Sequence, residues 1–245
     1  MNNPNLEQIN LKKAMTSGTL FADICFHEDD TVVSASKSIN PHIHSCFEIY
    51  LNVSGDLSFA VENNVYPVTC GDVIITKPNE FHHAIIHKDC VHKHCCLWLD
   101  ADNELSHIFS FIADRKNGEN NLISMPASKK EEVISHFKSL NDAKDISDIS
   151  GLASLFDILS ILSSYHNNTV PSIKLPDELS EILKYIDENY ADNCDTNYLT
   201  EHFFMSRSTL SRQFKKHLNI SPSKYVETRR LSAAKDLLEQ GTSVQ

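Results

Sequence analysis

Positive charge is scarce in this chain. Lys and Arg number 22 against 33 Asp and Glu, a formal net charge of -11, which excludes a protein whose whole surface is built to meet nucleic acid. Long apolar runs are missing as well. No stretch reaches the roughly 18 apolar residues that a membrane span needs, and the opening Met1-Asn-Asn-Pro-Asn has no basic segment followed by an apolar one. The expectation is a cytoplasmic chain with no membrane partner. No glycine-rich phosphate loop, nucleophile elbow or Cys-x-x-Cys pair occurs, so the usual signatures of nucleotide, acyl-transfer and dithiol chemistry are absent. Seven cysteines at irregular spacing in such a chain are expected to be free thiols. There is no internal repeat and no low-complexity tract.

What is present fits two globular domains. A length of 245 residues with 41% hydrophobic and 22% charged side chains can bury one large core or two smaller ones. From Thr31 to about Asp100 short β-rich runs alternate with turn residues: Phe47–Val53, Leu57–Val61, Val65–Val68, Asp72–Thr76, Ala84–Ile86 and Cys95–Leu99. Such spacing predicts an antiparallel sandwich or barrel. From Glu104 the period turns helical, with stripes at Leu105, Ile108, Phe109, Ile112 and at Val133, Ile134, Phe137, Leu140. A further helix over 149–165 has apolar residues on more than one face, which predicts that it packs on its own domain and on a partner, so that 104–165 is a dimerisation segment of a homodimer. Residues 166–176, with Asn-Asn and two prolines, read as a linker.

The charge is unevenly spread. Residues 1–201 carry 14 Lys and Arg against 30 acids, whereas 202–235 carry 8 basic residues and the single acid Glu227. Within that basic stretch Ser206 is a good N-cap for a helix from Arg207 to about His217. Leu210 and Phe214 would face inward, which turns Arg212 outward with Ser208, Thr209, Ser211 and Lys215 around it. Pro222 suits the first turn of the next helix. The order Ser206-x-x-x-Leu210-x-Arg212-x-Phe214-Lys215, then Ser221-Pro222-x-x-Tyr225, then Arg230-Leu231-x-x-Ala234-x-x-Leu237-Leu238 resembles the first half of the DNA-binding domain of the AraC (arabinose-regulator) family. The resemblance implies a helix-turn-helix in which Ser208, Ser211 and Arg212 read bases while Arg207, Lys215 and Lys216 meet phosphates. It also implies a second helix-turn-helix, whose start Thr242-Ser243-Val244 resembles, so the 177–245 domain is expected to be truncated before it.

The strand-rich part carries its own pattern. His42-Ile-His44-x-x-x-Glu48 followed by Gly55 resembles the first cupin motif, and Gly71-x(6)-Pro78-x(3)-His82 the second. In a metal cupin the corresponding two His, Glu and His converge inside the barrel. The resemblance therefore implies that His42, His44, Glu48 and His82 form an effector pocket or hold a divalent metal, with no cofactor certain. Imidazole and carboxylate suit Fe, Mn, Ni, Cu or Zn without choosing among them. His82-His83, His87, Cys90, His92, His94 and Cys95-Cys96 could form a soft-metal sensor, although strand alternation sends neighbours to opposite faces. The reading is thus an α+β chain: an N-terminal antiparallel cupin-like (jelly-roll) barrel with a helical dimerisation segment, 1–165, and an all-α helix-turn-helix domain after the linker. Its expected role is a non-enzymatic transcription regulator binding DNA under control of a small-molecule or metal effector. The competing reading is a cupin metalloenzyme, an oxygenase or isomerase, with a helical appendage.

Overall fold

The computed structural model describes residues 7–10, 19–35, 41–101, 107–143, 148–168 and 170–239. Its strands are β1 (Glu7–Asn10), β2 (Thr19–His27), β3 (Val32–Val33), β4 (Phe47–Ser54), β5 (Leu57–Val61), β6 (Asn64–Val68), β7 (Val73–Thr76), β8 (His82–Ile86), β9 (Cys90–Val91), β10 (Lys93–Ala101) and β11 (Leu122–Ile123). Three helices follow or interrupt them, α1 (Ser110–Ala113), α2 (Ala127–Asp142) and α3 (Ile149–Tyr165), and four close the chain: α4 (Asp177–Asn189), α5 (Thr196–His202), α6 (Arg207–Leu218) and α7 (Pro222–Glu239).

All strand pairs are antiparallel. The large sheet runs β1-β2-β10-β4-β7-β11 and a second runs β6-β5-β8, so neighbours in space are often distant in sequence, as in a jelly roll. Tyr50, Ile74 and Cys96 of the large sheet share one apolar core with Phe59, Tyr66 and Ala84 of the small one. The opposite face of the large sheet, Leu20, Ile49, Leu51, Leu97 and Leu99, packs on α1, α2 and α3 through Ile112, Phe137, Leu155 and Leu162. Strand alternation produces this split: Glu48, Tyr50 and Asn52 point between the sheets while Ile49 and Leu51 point to the helices. Gly71, at φ +77°, makes the turn before β7; a Cβ there would stand 2.6 Å from Lys130 Cβ.

The mixed fold matches the sequence reading, and β4 to β8 and β10 overlap the expected runs. β2 was missed, although Leu20, Ala22, Ile24 and Phe26 alternate as a half-buried strand should. The stripe at Ile108–Ile112 forms only the four residues of α1, and Leu105 lies outside the described residues. In α3 the apolar faces expected to meet a second copy are mostly consumed within the protomer, since Leu155, Ile158, Leu159, Ile161 and Leu162 are buried there. Ile149 and Phe156 remain exposed. The stretch 166–176 is not free of the sheets either: Ile173 N–H donates to the Val65 carbonyl at 2.6 Å.

The last four helices bury Leu179, Ile182, Leu183, Ile186, Leu199, Leu210, Phe214, Leu218 and Tyr225 in one cluster that also contains Ala60, Val65, Phe81 and Ile85 of the strand layers. The helix-turn-helix core and the small sheet are therefore continuous.

Candidate functional site

The structure brings His42, His44, Glu48 and His82 together, with their potential ligand atoms within 4.8 Å of one another. The backbone makes this so. His42 and His82 exchange N–H···O bonds in both directions, at 3.1 and 3.0 Å, which places the start of the first motif beside the start of β8. Glu48 enters from β4 and is 4% exposed; the Nε2 atoms of His44 and His82 converge on its Oε2 at 2.8 and 3.0 Å. Among the described residues it is the one group of three or more His, Cys, Asp or Glu whose donors converge in this way.

The electrostatics follow from who faces whom. His82 donates from Nδ1 to the Glu80 carbonyl at 2.7 Å, and its Nε2 lies 3.0 Å from Glu48 Oε2. Burial alone would push its pKa down, but the Glu48 carboxylate overrides this and raises it. Burial likewise raises the Glu48 pKa, and the hydrogen bonds from His44 and His82 outweigh it, holding that carboxyl well below the ordinary range. The carbonyl partner on His82 Nδ1 is also what a metal-binding imidazole needs, because it fixes the tautomer that offers Nε2. Thr76, directly opposite Glu48 on β7 and 2% exposed, has an Oγ1 with no hydrogen-bond partner, and Trp98 on β10 flanks the other side with Nε1 3.3 Å from His44 Nε2. Three imidazoles, one carboxylate and an orphaned hydroxyl fit a divalent metal or a small polar ligand.

The second His/Cys group does not gather into a metal cluster. His27, His94 and His92 stack at 4.5 Å spacings, and Tyr50 OH lies 2.6 Å from His92 Nε2. Burial pushes the pKa of His92 down to about 4 and that of His94 to about 3, while the Cys96 thiol is pushed well up by burial and by Glu48. His83 leaves the barrel interior altogether, its Nε2 2.7 Å from the carbonyl of Leu218. A cleft of about 620 Å³ beside Phe111, Arg115 and His166 opens elsewhere and includes none of the expected site residues.

At the other end of the chain α5 and α6 form two helices joined by a tight turn. Asp195 caps α5 by accepting from Tyr198 N–H at 2.9 Å, and Ser206 caps α6 by accepting from Thr209 N–H at 3.1 Å. α6 ends at Asn219 in the left-handed conformation, with its N–H on the Lys215 carbonyl. Leu210, Phe214 and Leu218 are buried, whereas Ser208, Arg212, Lys215 and Lys216 are exposed away from them, and Arg207 and Ser211 are exposed nearer the buried side. Counting charge along the sequence overstated this face. Arg230 donates to the carbonyls of Tyr190 and Asp192 at 2.7 and 2.8 Å, and Arg229 is an internal ion-pair partner of Glu62 and Asp187, so both serve the fold.

A jelly-roll with a converged cluster of donor side chains is joined to a helix-turn-helix. The family comparisons agree with both parts. The AraC-like ligand binding domain matches residues 32–97 and a helix-turn-helix domain matches residues 199–245. The strand-rich part is thus similar to AraC-like ligand binding domains, and the C-terminal part to helix-turn-helix domains. It is 42% identical over 65 residues to the uncharacterized HTH-type transcriptional regulator YbfI of Bacillus subtilis (strain 168), a match covering 26% of this chain and 24% of that protein. The chain thus spans about a quarter of the length of that curated relative. Similar solved structures include the AraC-like transcriptional activator CuxR, at 12% identity over 89% of this chain and 73% of that one, TM-score 0.38. Another is unsaturated fatty acid bound ToxT from Vibrio cholerae strain SCE256, at 11% identity over 100% of this chain and 85% of that one, TM-score 0.37. No helix among the described residues is long and apolar enough to cross a membrane.

Proposed function

We propose that the chain is a cytoplasmic, DNA-binding transcription regulator and not an enzyme, with α6 as its recognition helix and the His42, His44, Glu48 and His82 cluster as its effector site. One observation carries the DNA half: six donor-rich side chains of α6 are exposed, with Ser208, Arg212, Lys215 and Lys216 turned away from its buried apolar residues. Ser208, Ser211 and Arg212 then contact base edges, and Arg207, Lys215 and Lys216 contact phosphates. The effector is a divalent metal or a small polar molecule. A metal would be held by the three imidazoles and Glu48, where it supplies a positive centre in place of the shared proton. Residues 1–165 act as sensor, 166–176 as connection and 177–245 as DNA-binding unit, in a homodimer that covers Ile149 and Phe156 of α3.

Selection of duplexes from a random pool by the full chain tests this reading. A recovered motif whose enrichment is lost in Arg212→Ala supports it; no enrichment by the wild type overturns it. The same donor set would serve a cupin metalloenzyme, and that reading requires turnover that depends on His82 while DNA affinity does not.

A further inference from the structure

β8 and the residue before it serve two neighbours at once. His82 faces Glu48, while Phe81 and His83 face the C-terminal helices. His83 donates to the carbonyl of Leu218, the last residue of α6, one of the carbonyls that a helix cannot satisfy internally. Beside it Asn219 Nδ2 donates to the Ala35 carbonyl at 3.3 Å. The end of the recognition helix is thus finished by groups from the strand layers.

Next to these contacts lies a buried arginine. The Arg229 guanidinium sits 4.7 Å from the centre of the Phe81 ring and 5.4 Å from that of Tyr225. It pairs with Glu62, in the β5–β6 turn, and its Nε lies 2.7 Å from Asp187 Oδ1 of α4, at an angle too poor for a hydrogen bond. One cation therefore joins a carboxylate from the sheets to a carboxylate from the helices. Glu62 is tied to the site as well. Its Oε1 accepts from Phe81 N–H at 2.8 Å and its own N–H donates to the Phe81 carbonyl at 2.8 Å. The covalent chain then runs one residue to His82. The path from Glu48 to α7 is His82, Phe81, Glu62 and Arg229, which also pairs with Asp187 of α4, with no gap wider than a hydrogen bond or ion pair.

We propose that Arg229, Phe81, Glu62 and Asp187 form a clasp between the barrel and the helix-turn-helix, and that occupation of the His42, His44, Glu48 and His82 cluster changes how firmly this clasp holds α6 and α7. The coupling half rests on the reading of that cluster as an effector site. The clasp does not cover the DNA-facing residues, because Ser208, Ser211 and Arg212 are exposed with it closed. It fixes the direction in which the recognition helix points, so Arg229 is a positioning residue. A two-state element biased from one end is what linkage between two sites requires.

The test uses the full chain, Co²⁺ as probe, and hydrogen exchange of the β5–β6 turn and of residues 215–230. Arg229→Gln leaves Glu62 and Asp187 facing each other without a cation, and exchange in both segments should rise at least tenfold; Arg229→Lys should restore part of the protection. Unchanged exchange in a folded Arg229→Gln chain overturns the clasp. Co²⁺ should alter exchange in the same two segments of the wild type, and Arg229→Gln should shift Co²⁺ affinity by about 5-fold or more, as coupling of ordinary size demands. Equal Co²⁺ affinity with unaltered exchange overturns the coupling while sparing the cluster. Absence of Co²⁺ binding, or binding indifferent to His82→Ala, overturns the metal reading of the cluster and the coupling with it, and the clasp is still decided by the metal-free exchange.

Discussion

Arg115 grips Glu80 with both ends of its guanidinium, Nη1 on Oε1 at 2.7 Å and Nη2 on Oε2 at 2.6 Å, inside a shell where Glu80 is fully buried. Lys77 N–H and Gly118 N–H complete the carboxylate at 2.8 and 2.7 Å. The loop that delivers His82 to its site is fixed by this pair. Removing the cation leaves a buried charge without its counter-charge, so Arg115→Met should cost about 3–5 kcal/mol in urea unfolding. Burial raises the Glu80 pKa, but Arg115 and the backbone donors more than reverse this and lower it. The stabilisation is therefore complete above the unfolded carboxyl pKa and fades as pH falls through the lower folded value. An Arg115→Met chain as stable as wild type at pH 7 would refute the assignment.

Phe204 stands in the turn between α5 and α6 at φ +51° with 96% of its surface exposed. A side chain in that left-handed region costs about 1–2 kcal/mol, and this one recovers little by packing. Phe204→Gly should raise stability by about 0.5–1 kcal/mol after the added unfolded-chain entropy is subtracted. Phe204→Ala should change it little. Thermal melts of the two variants separate strain relief from loss of the ring.

DNA binding should sort the basic residues by their partners. Arg212→Ala is expected to cost about 1–3 kcal/mol and to relax preference at one position, whereas Lys215→Ala weakens all duplexes alike and lowers the salt slope by about 1. Arg230, already committed to two backbone carbonyls, should leave the salt slope unchanged when replaced, provided the fold survives. Anisotropy titrations on matched and scrambled duplexes at three salt concentrations read all three.

The imidazole stack makes the barrel sensitive to acid. His92 and His94 are neutral in the fold, with pKa values pushed to about 4 and about 3 chiefly by burial. An unfolded histidine takes up its proton near 6.5. Their contribution is fully present above that pH and is lost as pH falls from about 6.5 toward 4 and 3, since the unfolded chain then binds more protons. The melting temperature should drop over that window, and less steeply in His94→Gln. A flat profile in the wild type would contradict the buried, neutral stack.

Several features were fixed by the sequence alone. Local spacing and chemistry determine the strands from Phe47 to Thr76, the Ser206 cap and the inward Leu210 and Phe214 of α6, because period and capping act within a few residues. The candidate cluster was also legible, since His42, His44 and Glu48 lie within seven positions and His82 completes a recognisable pattern. Tertiary structure alone decided the rest. Arg229 reads as one more basic residue of a DNA-facing segment, yet it is enclosed by Glu62, Phe81 and Asp187, which come from positions up to 167 residues away. The apolar surplus of α3 reads as a partner surface, yet α2 and the large sheet cover most of it. Whether a charge or an apolar face meets solvent, a partner or the chain's own core depends on which distant elements pack over it, and that information lies in no local window of the sequence.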